Sequence, residues 1–294
     1  MFEGAYTAMV TPFDAGGKVD VAGLRANVRF QIKNGIQGLV PVGTTGESPT
    51  LSYEEHYHVI QVVVEAANGK VPVLAGTGSN STWEAIMITK HAREAGADGA
   101  LVVVPYYNKP TQAGLYAHFK KIAEEVDIPQ MIYNIPSRTG VNMLPETIAK
   151  LTKFKNIVGV KEASGDLKQI AKVIELTRGE DFIVTSGDDA LTLEVMKLGG
   201  AGVISVASNI VPDRVVRLVE SLRAGDTAKA KKINGELAPL VKALFIETNP
   251  GPIKLAMNWT GMAAGGYRLP LVELLPENRE KLRRVLVNTG LLKK

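Results

Sequence analysis

The chain has 294 residues, of which 45% are hydrophobic and 22% are charged, as in ordinary globular proteins. It contains no cysteine, which excludes disulfides, thiolate nucleophiles and cysteine-ligated metals. The net charge of +4 comes from basic residues in the segment 212–294, where helical spacing indicates a solvated helix face rather than a nucleic-acid surface. The sequence shows neither a secretory signal pattern nor an apolar run of membrane-spanning length. We therefore expect a cytoplasmic protein that binds neither nucleic acids nor membranes.

Short apolar runs that end in Gly, Pro, Ser or Thr alternate along the chain with segments of helical periodicity. We predict strands at 5–10, 38–42, 71–76, 99–104, 129–134, 157–161, 182–186 and 202–206. We predict helices near 21–34, 52–67, 80–95, 111–126, 145–152, 166–177, 188–198 and 212–223. Continuous strands rich in Val and Ile that alternate with helices indicate a parallel sheet covered on both faces. Eight such units predict an α/β fold of the (β/α)8 TIM-barrel type.

The segment after the eighth unit differs, because its periodicity is helical throughout. It contains three helical stretches, DTAKAKKINGELAPLVKALFIE, GPIKLAMNWTG and PENREKLRRVLVNTG. No linker or low-complexity stretch separates this segment from the predicted barrel. We therefore predict a catalytic barrel domain at 1–223 and a docked C-terminal helical domain at 224–294.

The stretch NIVGVKEASGD is unusual because the apolar strand IVGVK ends in a lysine, Lys161. Strand side chains alternate, so Lys161 is expected to face the barrel interior with Ile157 and Gly159, the glycine leaving room beside it. Active sites of such barrels lie at the C-terminal ends of the strands. Burial disfavours a charged amine, and a neutral lysine can form a Schiff base with a carbonyl substrate. The structural alternative is that Lys161 caps the strand and pairs with Glu162 or Asp166.

Three hydroxyl groups follow neighbouring strands and could supply the proton transfers that imine chemistry needs. Tyr133 ends the fifth strand, Thr45 follows the second and Tyr107 follows the fourth. Each of these residues alone is more often a hydrogen-bonded structural group. Their convergence on one lysine favours a proton relay.

Two other motifs suit a substrate carboxylate. GTTGES, at 43–48, offers small residues, hydroxyls and backbone N–H groups just before a helix, a combination that suits an anion. The alternative is a tight turn with a capping serine, followed by the acids of SYEE in the first helical turn. Arg138, in YNIPSRTG, has a forked guanidinium that fits a carboxylate, although a loop arginine is more often a surface charge.

Taken together, these motifs resemble the dihydrodipicolinate synthase branch of the pyruvate-dependent class I aldolase family, which also includes N-acetylneuraminate lyase. The resemblance runs from end to end and rests on TAMVTPF, GTTGES, YYNKPTQ, YNIPSRTG, VGVKEASGD and NPGPIK. YNIPSRTG, with Arg138, is the motif most specific to the synthase branch. The resemblance implies that Lys161 forms an imine with pyruvate and that its enamine adds to L-aspartate 4-semialdehyde. Transimination would then release 4-hydroxy-tetrahydrodipicolinate, in the lysine and diaminopimelate branch.

The resemblance also implies roles for individual residues and for the assembly. Tyr133 would move protons at the reacting centre, linked by Thr45 to a Tyr107 contributed by the neighbouring subunit of a tight dimer. The binding residues would be Thr44 and Thr45 for the pyruvate carboxylate, Arg138 for the semialdehyde carboxylate, and Gly187 and Ile204 for backbone contacts. No cofactor and no metal would be required, and the usual assembly is a homotetramer built as a dimer of dimers.

Feedback inhibition by L-lysine is a further implication, at a site on the dimer interface. The residues concerned are Ser48, His56, Asn80, Glu84 and Tyr106. Glu84 would pair with the ammonium of the inhibitor, and the others would form hydrogen bonds. Tyr53 departs from the histidine found in some lysine-sensitive members, and Pro49 departs from a common alanine.

Two alternative functions fit parts of the same pattern. The nearer one is a sister aldolase with the same lysine, acting on a 2-keto-3-deoxy sugar acid or N-acetylneuraminate. Arg138 argues against it, because a carboxylate-binding group suits aspartate semialdehyde better than a polyol. The other is an isomerase or binding protein that uses the phosphate site of the barrel. The two acids of SGDD, at 186–189, argue against that function because they would repel a phosphate.

Overall fold

Eight parallel strands form the centre of the fold in the computed structural model, which describes residues 2–293. The strands are β1 (Gly4–Ala8), β2 (Gly38–Val40), β3 (Leu74–Gly76), β4 (Gly99–Val103), β5 (Gln130–Asn134), β6 (Ile157–Glu162), β7 (Ile183–Ser186) and β8 (Gly202–Ser205). They pair in the order β2-β1-β8-β7-β6-β5-β4-β3. A parallel bridge between Leu39 and Val73 joins the two ends of this order and closes the barrel. The predicted (β/α)8 fold is confirmed.

Helices surround the barrel and continue beyond its last strand. They are α1 (Val21–Lys33), α2 (Tyr53–Ala67), α3 (Thr82–Glu94), α4 (Gln112–Glu125), α5 (Pro136–Thr139), α6 (Pro145–Leu151), α7 (Leu167–Leu176), α8 (Thr192–Lys197), α9 (Pro212–Arg223), α10 (Thr227–Leu244), α11 (Gly251–Trp259) and α12 (Pro276–Asn288). The helix predicted at 188–198 is divided, because a 3-10 turn at Asp189–Leu191 precedes α8. The short helix α5 was not predicted. It starts at Pro136 and is capped after Thr139 by Gly140, whose φ is +74°; proline favours the first position of a helix and glycine the position after its end.

Apolar side chains fill both the barrel interior and the layer between strands and helices. The interior cluster includes Tyr6, Val40, Leu74, Leu101, Met131 and Ile204. The larger outer cluster contains residues of the barrel together with Leu240 of α10, Ile253 of α11 and Leu282 of α12. The C-terminal helices therefore share a continuous core with the barrel. Among residues 2–293, no helix is long and apolar enough to cross a membrane.

The simple alternation predicted for β6 is wrong at the start of the strand. The pairing with β5 shifts by one residue between Ile157 and Gly159. As a result, Ile157 packs in the outer layer, whereas Val158 packs against the interior cluster. An extra residue of this kind changes which face the following side chains occupy. Beyond the shift, Lys161 lies opposite Tyr133 of β5.

Candidate active site

Lys161 lies at the C-terminal end of β6, and only 6% of its surface is exposed. Its Cα pairs in register with Tyr133 on one side and with Thr185 on the other. The ammonium nitrogen lies 4.1 Å from the centre of the Tyr133 ring. The two residues that were expected to carry out imine formation and proton transfer are therefore adjacent, and both are buried.

The carboxylates next to Lys161 in the sequence have other partners. Glu162 accepts hydrogen bonds from Asn134 Nδ2 (3.1 Å) and from the backbone N–H of Ser164 (2.8 Å). Burial raises the pKa of Glu162. Asp166 caps the first turn of α7. Within the described part of the chain, Lys161 forms no ion pair, so the structural alternative of a strand-capping pair is wrong.

The space around the Lys161 side chain depends on Gly187, not on Gly159 as predicted. A Cβ atom on Gly187 would lie 2.7 Å from Cβ of Ala163 and 3.1 Å from Cγ and Cε of Lys161. A Cβ atom on Gly159 would instead meet Ile183, at 2.7 Å from its carbonyl oxygen. Such approaches are closer than van der Waals contact allows. The backbone N–H of Gly187 also donates to the Glu162 carbonyl (2.8 Å), which holds the two strand ends together.

The loop after β2 presents backbone donors at the same end of the barrel. Within residues 2–293, the N–H groups of Thr44 and Thr45 donate no hydrogen bond. Thr44 lines a cavity of about 720 Å³, whereas the Thr45 side chain is buried. Free, oriented backbone donors of this kind favour an anion. In the described chain, Thr45 forms no hydrogen bond with either tyrosine; its hydroxyl accepts one from Nδ2 of Asn249 (2.9 Å).

Asn249 is a site residue that the sequence reasoning missed. Its backbone oxygen accepts a hydrogen bond from the Arg138 guanidinium (3.1 Å), so it connects Arg138 with Thr45. Arg138 lines the 720 Å³ cavity and also a second cavity of about 560 Å³, which Gly187 borders. The only signal in the sequence was the motif NPGPIK, in which Asn249 is the first residue.

A buried ion pair anchors the loop after β2 to the C-terminal helices. Glu47, in GTTGES, accepts a hydrogen bond from Lys254 Nζ at 2.5 Å, and both side chains are at most 1% exposed. The Lys254 ammonium also lies 4.2 Å from the centre of the Phe13 ring. Burial lowers the pKa of Lys254, while Glu47 opposes that shift. The backbone N–H of Arg268 donates to the second Glu47 oxygen (3.2 Å).

The helix after this loop begins with a capping box. The Ser52 hydroxyl accepts from the backbone N–H of Glu55 (3.2 Å), and the Glu55 carboxylate accepts from the backbone N–H of Ser52 (3.0 Å). Glu55 also accepts two hydrogen bonds of 2.6 Å from the Arg268 guanidinium, which lowers the pKa of Glu55. The predicted capping serine therefore occurs together with the unpaired backbone donors of the loop.

Within one chain, Tyr107 lies at the surface, whereas Lys161 is buried. Tyr107 is 87% exposed, and its backbone has a φ of +74°, unusual for a residue with a side chain. Its N–H donates to the Thr139 carbonyl (3.2 Å), which fixes the loop that carries it. Although it is largely exposed, Tyr107 is one of the residues that line the 720 Å³ cavity.

The residues expected to bind L-lysine lie mainly around the same cavity. Its lining includes Ser48, His56, Glu84 and Tyr106, but not Asn80. Burial lowers the pKa of His56 to about 4, so its imidazole is neutral at pH 7. Glu84 accepts a hydrogen bond from the Ser79 hydroxyl (2.6 Å).

Comparison with known proteins gives a consistent result over the whole length. The model of the dihydrodipicolinate synthetase family matches residues 1–289. The 4-hydroxy-tetrahydrodipicolinate synthase of Syntrophus aciditrophicus is 56% identical over 99% of this chain and 100% of its own. The chloride-inhibited dihydrodipicolinate synthase of Acinetobacter baumannii, solved in complex with pyruvate, has a TM-score of 0.97 and 44% identity, covering 99% of this chain and 100% of its own. The lysine-bound enzyme of Cyanidioschyzon merolae has a TM-score of 0.96 and 44% identity, covering 99% of both chains.

Proposed function

Because this chain belongs to the dihydrodipicolinate synthetase family, we propose that it condenses pyruvate with L-aspartate 4-semialdehyde through a Schiff base on Lys161. The product is 4-hydroxy-tetrahydrodipicolinate. Family membership makes the chain an enzyme, a lyase of lysine and diaminopimelate biosynthesis. The reaction needs an amine nucleophile, a proton-transfer group and sites for two carboxylates, and each can be assigned to particular residues.

The observation that carries the proposal is the environment of Lys161. Lys161 is buried, and no ion pair with a carboxylate accounts for its burial. It also lies at the end of a barrel strand, where the active sites of TIM barrels occur and where a lysine can act as a nucleophile. The Tyr133 ring lies beside its ammonium. A lysine and a phenol in contact supply the amine nucleophile and the proton-transfer group that imine chemistry requires.

The first half of the reaction forms the enamine. Once deprotonated, the Lys161 nitrogen attacks C2 of pyruvate, and the resulting carbinolamine loses its hydroxyl as water to give an imine. Loss of a proton from C3 then moves the electron pair into an enamine. Tyr133 donates and accepts the protons of these steps, while Thr44 and Thr45 hold the carboxylate through their free N–H groups.

The second half of the reaction forms a carbon–carbon bond and releases the enzyme. C3 of the enamine attacks the aldehyde carbon of the semialdehyde, whose carboxylate Arg138 binds. The amine of that substrate then attacks C2, closing the ring and breaking the bond to Lys161. Gly187 and Ile204 contribute backbone contacts beside the reacting carbons.

Tyr107 completes the site from a neighbouring subunit. Its exposure in one chain supports this assignment, because a phenol open to solvent is poorly placed to relay protons to a buried lysine. Asn249 occupies one of the two lone pairs of the Thr45 hydroxyl, so the second lone pair remains to accept a hydrogen bond from a tyrosine. The proposed assembly is a cytoplasmic homotetramer built from two tight dimers.

We propose, further, that L-lysine inhibits the enzyme at Ser48, His56, Asn80, Glu84 and Tyr106. The proximity of four of these residues around one cavity supports the site. Initial rates should fall as L-lysine is titrated, and Glu84→Gln should weaken the inhibition while leaving uninhibited turnover unchanged. A wild-type rate that stays constant up to millimolar lysine would remove this regulatory function.

Trapping with borohydride tests the nucleophile directly. Reduction in the presence of pyruvate should leave a stable adduct on Lys161, identified by mass spectrometry of the digested protein. Lys242→Ala provides a matched control, since Lys242 borders the neighbouring cavity and its loss should not affect trapping. An adduct on another lysine, or none, would disprove the assignment.

Trapping, combined with an assay of aspartate-semialdehyde consumption, separates the synthase from its nearest alternative. A trappable pyruvate imine combined with no consumption of aspartate semialdehyde would indicate a sister aldolase with a different aldehyde. Arg138 supports the synthase, because its guanidinium borders both cavities and can receive a carboxylate.

A further inference from the structure

We propose that Asn249 is a positioning residue that makes the Thr45 hydroxyl a hydrogen-bond donor to the pyruvate carboxylate; this role rests on the function proposed above. Asn249 is 4% exposed. Its side-chain amide donates to Thr45 Oγ1 at 2.9 Å, a contact between residues 204 positions apart in the chain. Its backbone oxygen accepts from Arg138 at 3.1 Å.

The role of Asn249 follows from the direction of its hydrogen bond to Thr45. A threonine hydroxyl has one hydrogen to donate and two lone pairs that accept. The Asn249 Nδ2 group can only donate, so it occupies a lone pair of Thr45 and leaves the hydroxyl hydrogen free. That hydrogen is then available to an acceptor such as a carboxylate. An acceptor in place of the amide would attract the hydrogen and turn the hydroxyl away from the substrate.

The opposite end of the Asn249 side chain supports the same conclusion. Within residues 2–293, its buried Oδ1 has no hydrogen-bond partner. An asparagine kept only for internal hydrogen bonding normally has both ends of its amide satisfied. Here only the donor end is used, and its recipient belongs to the loop that presents free N–H groups. The contact to Arg138, by contrast, uses the backbone and is independent of the side chain.

The decisive variant is Asn249→Asp, which keeps the shape of the side chain but replaces the donor with an acceptor. We expect KM for pyruvate to rise about tenfold or more, as for loss of a hydrogen bond to a charged group. KM for the semialdehyde should change little, because the Arg138 partner is a backbone oxygen. Since a protonated aspartic acid can donate, the pyruvate defect relative to wild type should diminish as the pH falls. Asn249→Ala should give a smaller defect that does not depend on pH in this way.

A double-mutant cycle tests whether Asn249 acts through Thr45. In a Thr45→Val background, Asn249→Ala should cause no further increase in KM for pyruvate, because residues that act through one group are not additive. Asn258→Asp serves as the matched control in the same C-terminal segment; its side chain bonds to Gly265 away from the site.

Several outcomes distinguish failure of this inference from failure of the proposed function. A wild-type protein that forms no pyruvate imine overturns both. If the wild-type protein forms the imine, the proposed function stands. A normal KM for pyruvate in Asn249→Asp, or an additive double-mutant cycle, then overturns only the role of Asn249. If Asn249→Asp does not fold, Asn249→Ala and the cycle decide the question alone.

Discussion

At the scale of single residues, the reactivity proposed for Lys161 depends on its contacts. Its aliphatic chain passes Gly187, its nitrogen lies over the Tyr133 ring, and no carboxylate within the described chain neutralises it. Small displacements of a reacting group carry large kinetic penalties. The surroundings of Lys161 are therefore as important as the lysine itself.

Gly187→Ala tests this dependence. The added methyl group would lie 2.7 Å from Ala163, which must shift, and 3.1 Å from two carbons of Lys161, which must give by a few tenths of an ångström. We expect kcat to fall by about tenfold, less than the roughly hundredfold loss associated with a displacement of about 1 Å. The rate of pyruvate-imine trapping should fall in parallel.

Gly235→Ala is the matched control. Gly235 lies exposed in α10, and a Cβ atom there meets nothing within 4 Å. Activity should be unchanged, and the free energy of unfolding should rise by about 0.5–1 kcal/mol, as for glycine replaced in a helix. Full activity in Gly187→Ala would contradict the account of the lysine environment.

The sequence predicted some site residues better than others for a physical reason. Lys161 and Tyr133 lie at the ends of strands and Arg138 follows one; strand ends of a barrel converge, so their proximity could be inferred from position alone. The contact between Asn249 and Thr45 joins the loop after β2 to a loop outside the repeating units, and no periodicity indicates such a pair. The role of Gly187 could not be inferred either, because it depends on the direction in which the Lys161 side chain points.

At the scale of elements, the ion pair between Glu47 and Lys254 holds the loop after β2 against α11. Removing one partner of a buried pair leaves an uncompensated charge. We expect Lys254→Met to lower the free energy of unfolding by about 3–5 kcal/mol. In a Glu47→Gln background the same change should cost much less, as urea denaturation of all four proteins would show. Equal costs in both backgrounds would refute the coupling.

His118 gives the packing of α3 against α4 a pH dependence. Its Nδ1 contacts the Thr82 hydroxyl (2.9 Å), and burial lowers its pKa from 6.5 to about 4. The unfolded chain takes up this proton near pH 6.5, whereas the folded chain does so only near pH 4. The contribution of His118 to the free energy of unfolding is therefore complete above pH 6.5. It is lost as the pH falls to 4, by up to about 3 kcal/mol.

The effect of His118 must be measured as a difference between proteins. Burial raises the pKa values of Asp189 and Glu162, which gives stability an opposite dependence on pH in the acid range. Denaturation midpoints of wild type and His118→Gln should therefore be compared at pH 7 and pH 5. The wild type should lose more stability than the variant between these values, and exposed His58→Gln should behave like wild type. Equal losses in His118→Gln and wild type would contradict the assignment.

Strand and helix types were predictable because Val- and Ile-rich runs and capping residues act locally. The register of β6 was not, because the shift near Gly159 arises from pairing with β5 rather than from the strand itself. The division of the helix at 188–198 has a similar origin. Asp189 turns its carboxylate back to the Ser205 hydroxyl and the Val206 N–H of the next loop, a contact that only the folded barrel provides.

At the scale of the whole molecule, the role proposed for the exposed Tyr107 would make the single chain incomplete as a catalyst. Hybrid dimers of Lys161→Ala and Tyr107→Phe chains, co-expressed with different tags, test this property. If Tyr107 acts across the interface, one site of each hybrid contains both intact groups, and turnover should be about half that of the wild-type dimer.

The two homodimers are the controls for this experiment. Lys161→Ala should be inactive, and Tyr107→Phe should be reduced by about a hundredfold, the lower end of the range for loss of proton transfer. A hybrid no more active than half of the Tyr107→Phe homodimer would mean that Tyr107 acts within its own chain or not at all.

The central claim is that Lys161 makes this chain a synthase acting on pyruvate and L-aspartate 4-semialdehyde. The most direct measurement couples these two substrates to the downstream reductase and follows NADPH oxidation for wild type and Lys161→Ala. We predict steady turnover by the wild type that requires both substrates and disappears in the variant. Turnover that persists in Lys161→Ala, or its absence in a wild-type protein that still forms the pyruvate imine, would contradict the claim.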